Sequence, residues 1–215
     1  MPEQRKRPAA RHLVLFAVIS VISLLAGYWV AGAWFGDQPD LSTLHATRFS
    51  EPRALQPFEL LDHTGKPFSN NDLVGRWTFV FFGYTHCPDV CPTTLSVLNS
   101  VATLLAASER DARFVFISVD PGRDTPELLG QYVSYFNGEF VGVTGTEPAL
   151  AELTRQLGVV YLQVPDAGNP DGYLVDHTAS VLLFDPTGRL HAIFSAPLDA
   201  ADISEDFAKL TRAYR

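Results

Sequence analysis

The sequence is sparing with sulfur. Its 215 residues hold two cysteines, Cys87 and Cys91, and a single methionine, Met1. Structural zinc wants four ligands, and two cysteines with scattered histidines fall short of that. The lone Met1, at the start of the chain, excludes a thioether as a further ligand beside the cysteines. C-x-x-C-H does not occur, which excludes covalently attached haem. Positive charge is scarce too: 16 Lys and Arg stand against 24 Asp and Glu, for a net charge of −8. Without Met1–Arg11, which carries four basic residues and one acid, the remainder sits near −11. Such a surface lacks the Lys/Arg stripe that phosphate contacts require, so nucleic acid is excluded as a partner. There is no internal repeat and no low-complexity tract.

The longest absence is of charge itself. His12 to Gly36 contains no Asp, Glu, Lys or Arg, and Leu13 to Phe35 is apolar apart from Ser20, Ser23 and small residues. About 20 such residues cross a bilayer as a helix, so residues 12–36 are predicted to be a transmembrane anchor. Arg5, Lys6, Arg7 and Arg11 precede it, and Asp37 and Asp40 follow. The positive-inside rule then keeps residues 1–11 cytoplasmic and sends the rest across a bacterial-type inner (plasma) membrane, to its periplasmic or outer face. Tyr28, Trp29, Trp34 and Phe35 would form an aromatic belt at the outer interface. Ala31-Gly32-Ala33 imitates a signal-peptidase site, which is the competing reading, but the run exceeds the ~7–15 residues of a signal core. Either way, Cys87 and Cys91 reach a compartment where disulfides form and persist.

Residues 37–57 read as a linker, with Pro39, Pro52 and Pro57 among polar residues and no apolar period. The folded domain is placed at 58–215. Leu60 to Lys66 suggests a small hairpin, and Thr78 to Phe82 a strand buried on both faces. Pro92 to Ala107 repeats apolar residues at helical spacing. Phe114 to Val119 is a second buried strand and Phe140 to Thr144 a third. Asp124-Thr125-Pro126-Glu127 predicts a helix to Phe136 capped by Asp124, with Asp120-Pro121 as a strand exit. A helix over 148–157, a hairpin of strands 181–184 and 190–194, and a closing helix from Ala200 complete the order. This is a thioredoxin-like α/β domain with an N-terminal hairpin and an inserted βα unit, preceded by one transmembrane helix.

The cysteines follow a buried strand and precede a helix. In open α/β sheets that strand end is where ligands bind, and the helix N-terminus favours thiolates. Three uses of the pair compete. A structural disulfide would close only a short loop. A redox pair more often has two intervening residues, not three. A soft-metal site pairs two thiolates with one more ligand, a set suited to copper. Five exported histidines offer that ligand. His45 lies in the linker, His63 in a hairpin turn, His86 beside Cys87 and His191 in a half-exposed strand. His177 precedes a strand that should run antiparallel to the one feeding Cys87, which brings it to the cysteines. Asp176 is positioned to orient its imidazole, Asp89 to tune the site electrostatically, and Tyr84 to pack against it.

GYTHCPDVCPTTL, FISVDPGRDTPELLGQYV, TGTEPALAELTRQLGVVY and YLVDHTASVLLFDPTGR, in that order, resemble the signature blocks of the Sco/SenC family. Its members are membrane-anchored, thioredoxin-fold copper proteins of cytochrome c oxidase assembly. The resemblance runs from about Phe58 to the C-terminus, and C-P-D-V-C-P together with V-D-H-T makes it specific. It implies that Cys87, Cys91 and His177 bind copper, as Cu(I) or Cu(II). It implies a copper donor chaperone upstream and, as acceptor, the dinuclear copper site of oxidase subunit II. On this reading the protein is a metallochaperone without turnover chemistry. The alternative is a membrane-tethered thiol–disulfide reductase that uses Cys87 and Cys91 on exported cysteine pairs.

Overall fold

The computed structural model describes residues 8–35, 39–165, 168 and 172–214. Arg5, Lys6, Arg7 and Asp37, which set the expected orientation, lie outside the described residues, as do the side chains of Trp34 and Phe35. Helix α1, Pro8–Phe35, contains a stretch, His12–Gly32, long and apolar enough to cross a membrane. It is apolar all round rather than on one face, which suits a membrane anchor or a signal sequence.

Contacts divide the chain into two units, and α1 belongs to one of them. The other, Leu41–Lys209, holds every strand among the described residues. In chain order the elements after α1 are β1 (Thr47–Arg53), β2 (Glu59–Asp62), β3 (Pro67–Ser69), β4 (Thr78–Gly83) and α2 (Val90–Ala107). Then come β5 (Arg113–Ser118), α3 (Pro126–Phe136), β6 (Val141–Thr144) and α4 (Glu147–Leu157). Last are β7 (Tyr161–Pro165), β8 (Tyr173–His177), β9 (Val181–Phe184), β10 (Leu190–Phe194) and α5 (Ala200–Ala213). Eight strands form one sheet in the order β1-β10-β9-β4-β5-β6-β2-β3. The central β4, β5 and β6 are parallel, and β9 runs antiparallel to β4. This is the thioredoxin-like arrangement, with β2–β3 as the N-terminal hairpin.

Burial explains the pattern. All six residues of β4 are buried, as expected of a strand covered on both faces. Phe79 stacks on Phe114 of β5, with ring centroids 5.1 Å apart. Leu95, Leu98, Val101 and Leu105 form the buried stripe of α2. Gly158 ends α4 at a φ of 69°, a left-handed conformation that glycine adopts without strain.

The structure departs from the sequence reading in four places. Within the expected linker, Thr47–Arg53 pairs antiparallel with β10 as an edge strand. Most of its residues are exposed, so it carries no apolar alternation, and an edge tolerates Pro52. Between α4 and β9, β7 and β8 form a separate two-stranded ribbon. The cap of α3 is Thr125, whose hydroxyl accepts from the Leu128 amide at 3.3 Å, and not Asp124. His191 is buried rather than half-exposed, edge-on to Trp77 with centroids 5.1 Å apart.

Candidate metal centre

The centre lies where the carboxyl end of β4 meets the amino end of α2. After Gly83 the chain turns through Tyr84, Thr85 and His86, and the Cys87 amide donates to the Tyr84 carbonyl at 3.3 Å. Cys91 then falls in the first turn of α2. Its amide donates to Cys87 Sγ at 3.4 Å, so a sulfur accepts one of the helix's unpaired N–H groups. Asp89 occupies the N-cap but makes no side-chain cap bond. Its backbone amide, rather than its carboxylate, helps hold the Cys87 pKa down. Its carboxylate is exposed, with Thr93 Oγ1 at 3.5 Å.

The two thiols have opposite character. Cys87 is half-buried and Cys91 fully buried. The neighbouring Cys91 thiol, with His177 and the amides of Asp89 and Cys91, outweighs burial and lowers the Cys87 pKa to about 3. The Cys87 sulfur beside it, together with burial, pushes the Cys91 thiol well up. The pair thus favours the thiolate at Cys87 and the protonated thiol at Cys91. Gly83 makes room for Cys91: a β-carbon there would stand 2.7 Å from Cys91 Sγ and 2.8 Å from the Phe116 ring.

His177 closes the trio from the ribbon. Pairing of β9 with β4 sets Val181 against Phe81, so the residues just before β9 arrive beside the cysteine loop. His177 Nε2 lies 3.3 Å from Cys91 Sγ. Its Nδ1 lies 3.2 Å from the Thr178 carbonyl oxygen. A carbonyl can only accept, so this contact assigns a proton to Nδ1. Nε2 then offers a lone pair to a metal, or a proton to a thiolate when the ring is charged. Phe81 and Tyr84 pack against the ring with centroids 5.9 and 6.0 Å away, Tyr84 at 90°.

The donor atoms of Cys87, Cys91 and His177 all lie within 4.8 Å of one another, and no other His, Cys, Asp or Glu joins the group among the described residues. The orienting role expected of Asp176 falls to Thr178. Asp176 is exposed and pairs with Leu162, and strand alternation turns it to the face opposite His177. The other histidines are engaged elsewhere. His45 faces Asp202 at 3.6 Å, His63 Nδ1 accepts from the Gly142 amide at 3.1 Å, and His86 contacts Thr85 Oγ1 at 3.0 Å.

Two residues outside this sequence-predicted set bond to the segments that carry it. Asp124, buried after β5, accepts from the Thr85 amide at 2.9 Å and from Thr85 Oγ1 at 2.6 Å. It also accepts from Ser118 Oγ at 2.6 Å. Asp120 accepts from Tyr173 Oη at 2.7 Å, at the start of the ribbon strand that carries His177.

Residues 47–212 match the SCO1/SenC family. A putative copper-binding protein of Stutzerimonas stutzeri is 41% identical over 147 residues, covering 68% of this chain and 71% of its own. The mitochondrial SCO1 homolog of Homo sapiens is 31% identical over 219 residues, covering 100% of this chain and 72% of its own. Among solved structures, Arabidopsis thaliana ScoI with copper bound superposes with a TM-score of 0.70 at 32% identity. That match covers 74% of this chain and 98% of the Arabidopsis one.

Proposed function

The chain belongs to the SCO1/SenC family, and from that footing we propose that it is a membrane-anchored copper metallochaperone whose Cys87, Cys91 and His177 hold the ion. The observation that carries this reading is the convergence of two sulfurs and one imidazole nitrogen within 4.8 Å. Ligand atoms each about 2.0–2.3 Å from one ion lie at most about 4.6 Å apart, so small shifts complete the set. Two thiolates with one imidazole are soft donors suited to Cu(I), and the nitrogen extends them to Cu(II). Zinc as a structural ion calls for a fourth ligand that this group lacks. A thiolate already formed at Cys87 spares an incoming ion competition with a proton. Three ligands at the half-exposed Cys87 leave the ion open to an acceptor's own donors.

The acceptor we assign is the dinuclear copper site of cytochrome c oxidase subunit II, supplied in turn by a copper donor chaperone. α1 is the anchor, with the N-terminus cytoplasmic and the domain on the outer face. The test is transfer. Full-length protein in detergent, loaded with copper, is mixed with the metal-free copper domain of subunit II. The acceptor should gain copper and the absorption of its dinuclear site, and a His177→Ala donor should fail to supply it.

A second reading has its own support, since an accessible thiolate beside a buried thiol is the division of labour of a thiol–disulfide reductase. In that role Cys87 attacks a disulfide of the acceptor and Cys91 resolves the mixed disulfide. The chain ends with a Cys87–Cys91 bridge, and the acceptor leaves with two thiols. An acceptor that gains thiols without copper in the same mixture would transfer the assignment to this reading.

A further inference from the structure

The metal donors come from two segments that the chain keeps far apart. Cys87 and Cys91 stand on the loop and first turn after β4, and His177 on the ribbon strand β8. Some third element must hold the ribbon at a fixed distance from the loop. The seven residues from Ser118, the last of β5, to Asp124 reach both.

Toward the cysteines, buried Asp124 takes the amide and hydroxyl of Thr85, two residues before Cys87, and the hydroxyl of Ser118. Toward the histidine, buried Asp120 takes Tyr173 Oη at 2.7 Å and Arg123 Nε at 2.5 Å. Arg123 completes the grip. Its Nη1 donates to the Tyr173 carbonyl at 3.0 Å, and its guanidinium carbon lies 3.7 Å from the centroid of the Tyr173 ring. The same guanidinium stands 5.7 Å from the Tyr84 ring, which meets the His177 ring at 90°. A planar, five-donor fork can bond a carboxylate and a carbonyl while stacking on a ring, and an ammonium cannot. A buried ion pair is weak evidence of stability, and its better-attested use is to fix one arrangement over others.

We propose that the Ser118–Asp124 loop is a bracket that sets the cysteine-to-histidine spacing, with Arg123 and Asp120 as the positioning residues for the ribbon and Asp124 for the cysteine loop. Arg123 touches no donor atom. Its bonds run to the ribbon strand that carries His177, so its effect on metal retention should depend on His177, and this distinguishes positioning from general support of the fold.

The inference rests on the ligand assignment proposed above, and a double-mutant cycle separates the two. Cu(I) affinity is measured on full-length protein in detergent, against a competing chelator, for wild type, Arg123→Ala, His177→Ala and the double variant. Arg123→Ala should weaken binding by about 10-fold, the low end for loss of a residue that orients a ligand. In the His177→Ala background the same change should alter affinity by less than about 2-fold, because the two act as one unit. The thiolate-to-copper absorption of the Cu(II) form of Arg123→Ala should also move toward that of His177→Ala. Equal losses in both backgrounds, or none in either, would overturn the bracket. Unchanged affinity in His177→Ala would instead overturn the ligand assignment. Tyr173→Phe keeps the ring and loses only the bond to Asp120, and Arg123→Lys keeps the charge and loses the fork. Either carries the same cycle where Arg123→Ala does not fold.

Discussion

Cys91 Sγ lies 3.3 Å from His177 Nε2 although 86 positions separate the two residues. Neither is near the other by local structure. The contact exists because β9 runs antiparallel to β4 and ends the ribbon's approach at the cysteine loop. It also sets the first prediction. His177→Ala should leave the thermal midpoint within a few degrees of wild type, since the half-buried ring lies outside the sheet's core. It should weaken copper retention by about 100-fold or more, beyond the loss from removing an orienting partner. Competition with a chelator reads the second effect and thermal unfolding the first.

The two cysteines should respond differently to pH in the reduced, metal-free protein. With its pKa lowered to about 3, Cys87 stays a thiolate from pH 8 down to pH 5 and protonates only as pH falls through about 3. An ordinary thiol, near 8.5, loses its thiolate about tenfold per unit over the same range. Alkylation at Cys87 should therefore change by less than about 3-fold between pH 8 and pH 5. Cys91, buried and pushed up, should remain unmodified until the protein unfolds. Peptide mapping after timed alkylation separates the two sites. A tenfold fall per unit at Cys87 would contradict the assignment.

Gly83→Ala should damage the centre without touching a donor. The added carbon would sit 2.7 Å from Cys91 Sγ and 2.8 Å from Phe116, both in a packed interior. Overpacking of this kind costs about 1–3 kcal/mol, and moving Cys91 should also weaken copper binding. Denaturant unfolding and chelator competition on one preparation test both effects.

Much of this arrangement can be read from the sequence, and what cannot has physical causes. The aromatic run Thr78–Phe82 announces a strand buried on both faces, which places Cys87 and Cys91 at its carboxyl end. Asp-Thr-Pro-Glu announces a helix start, yet Asp124 and Thr125 satisfy that signature equally well. Only the fold shows that Thr125 caps and that Asp124 is buried against Thr85. Asp176 looks like a partner for His177 until β8 is seen as a strand, because neighbours in a strand face opposite ways. The ribbon did leave a signal: the apolar runs at 159–164 and 173–175 flank a segment rich in Pro, Gly, Asn and Asp, the composition of a hairpin. β1 left almost none, since an exposed edge strand has no buried face to pattern it.

Asp124→Ala should expose the other arm of the bracket. It strips a buried carboxylate from the Thr85 amide, the Thr85 hydroxyl and the Ser118 hydroxyl. Leaving a buried donor unpaired costs about 1–3 kcal/mol, so the unfolding free energy should fall by that order and the denaturation midpoint with it. Asp124→Asn keeps a carbonyl oxygen for the Thr85 amide and should recover most of it. Equal midpoints for wild type and Asp124→Ala would show that these bonds do not hold the loop.

The ligand set is tested most directly by X-ray absorption at the copper edge, on full-length protein loaded with one equivalent of Cu(I). The spectrum should fit two sulfur neighbours and one nitrogen, and the nitrogen should vanish in His177→Ala. Copper bound by sulfur alone in the wild type, or a spectrum that His177→Ala leaves unchanged, would contradict a Cys87–Cys91–His177 centre.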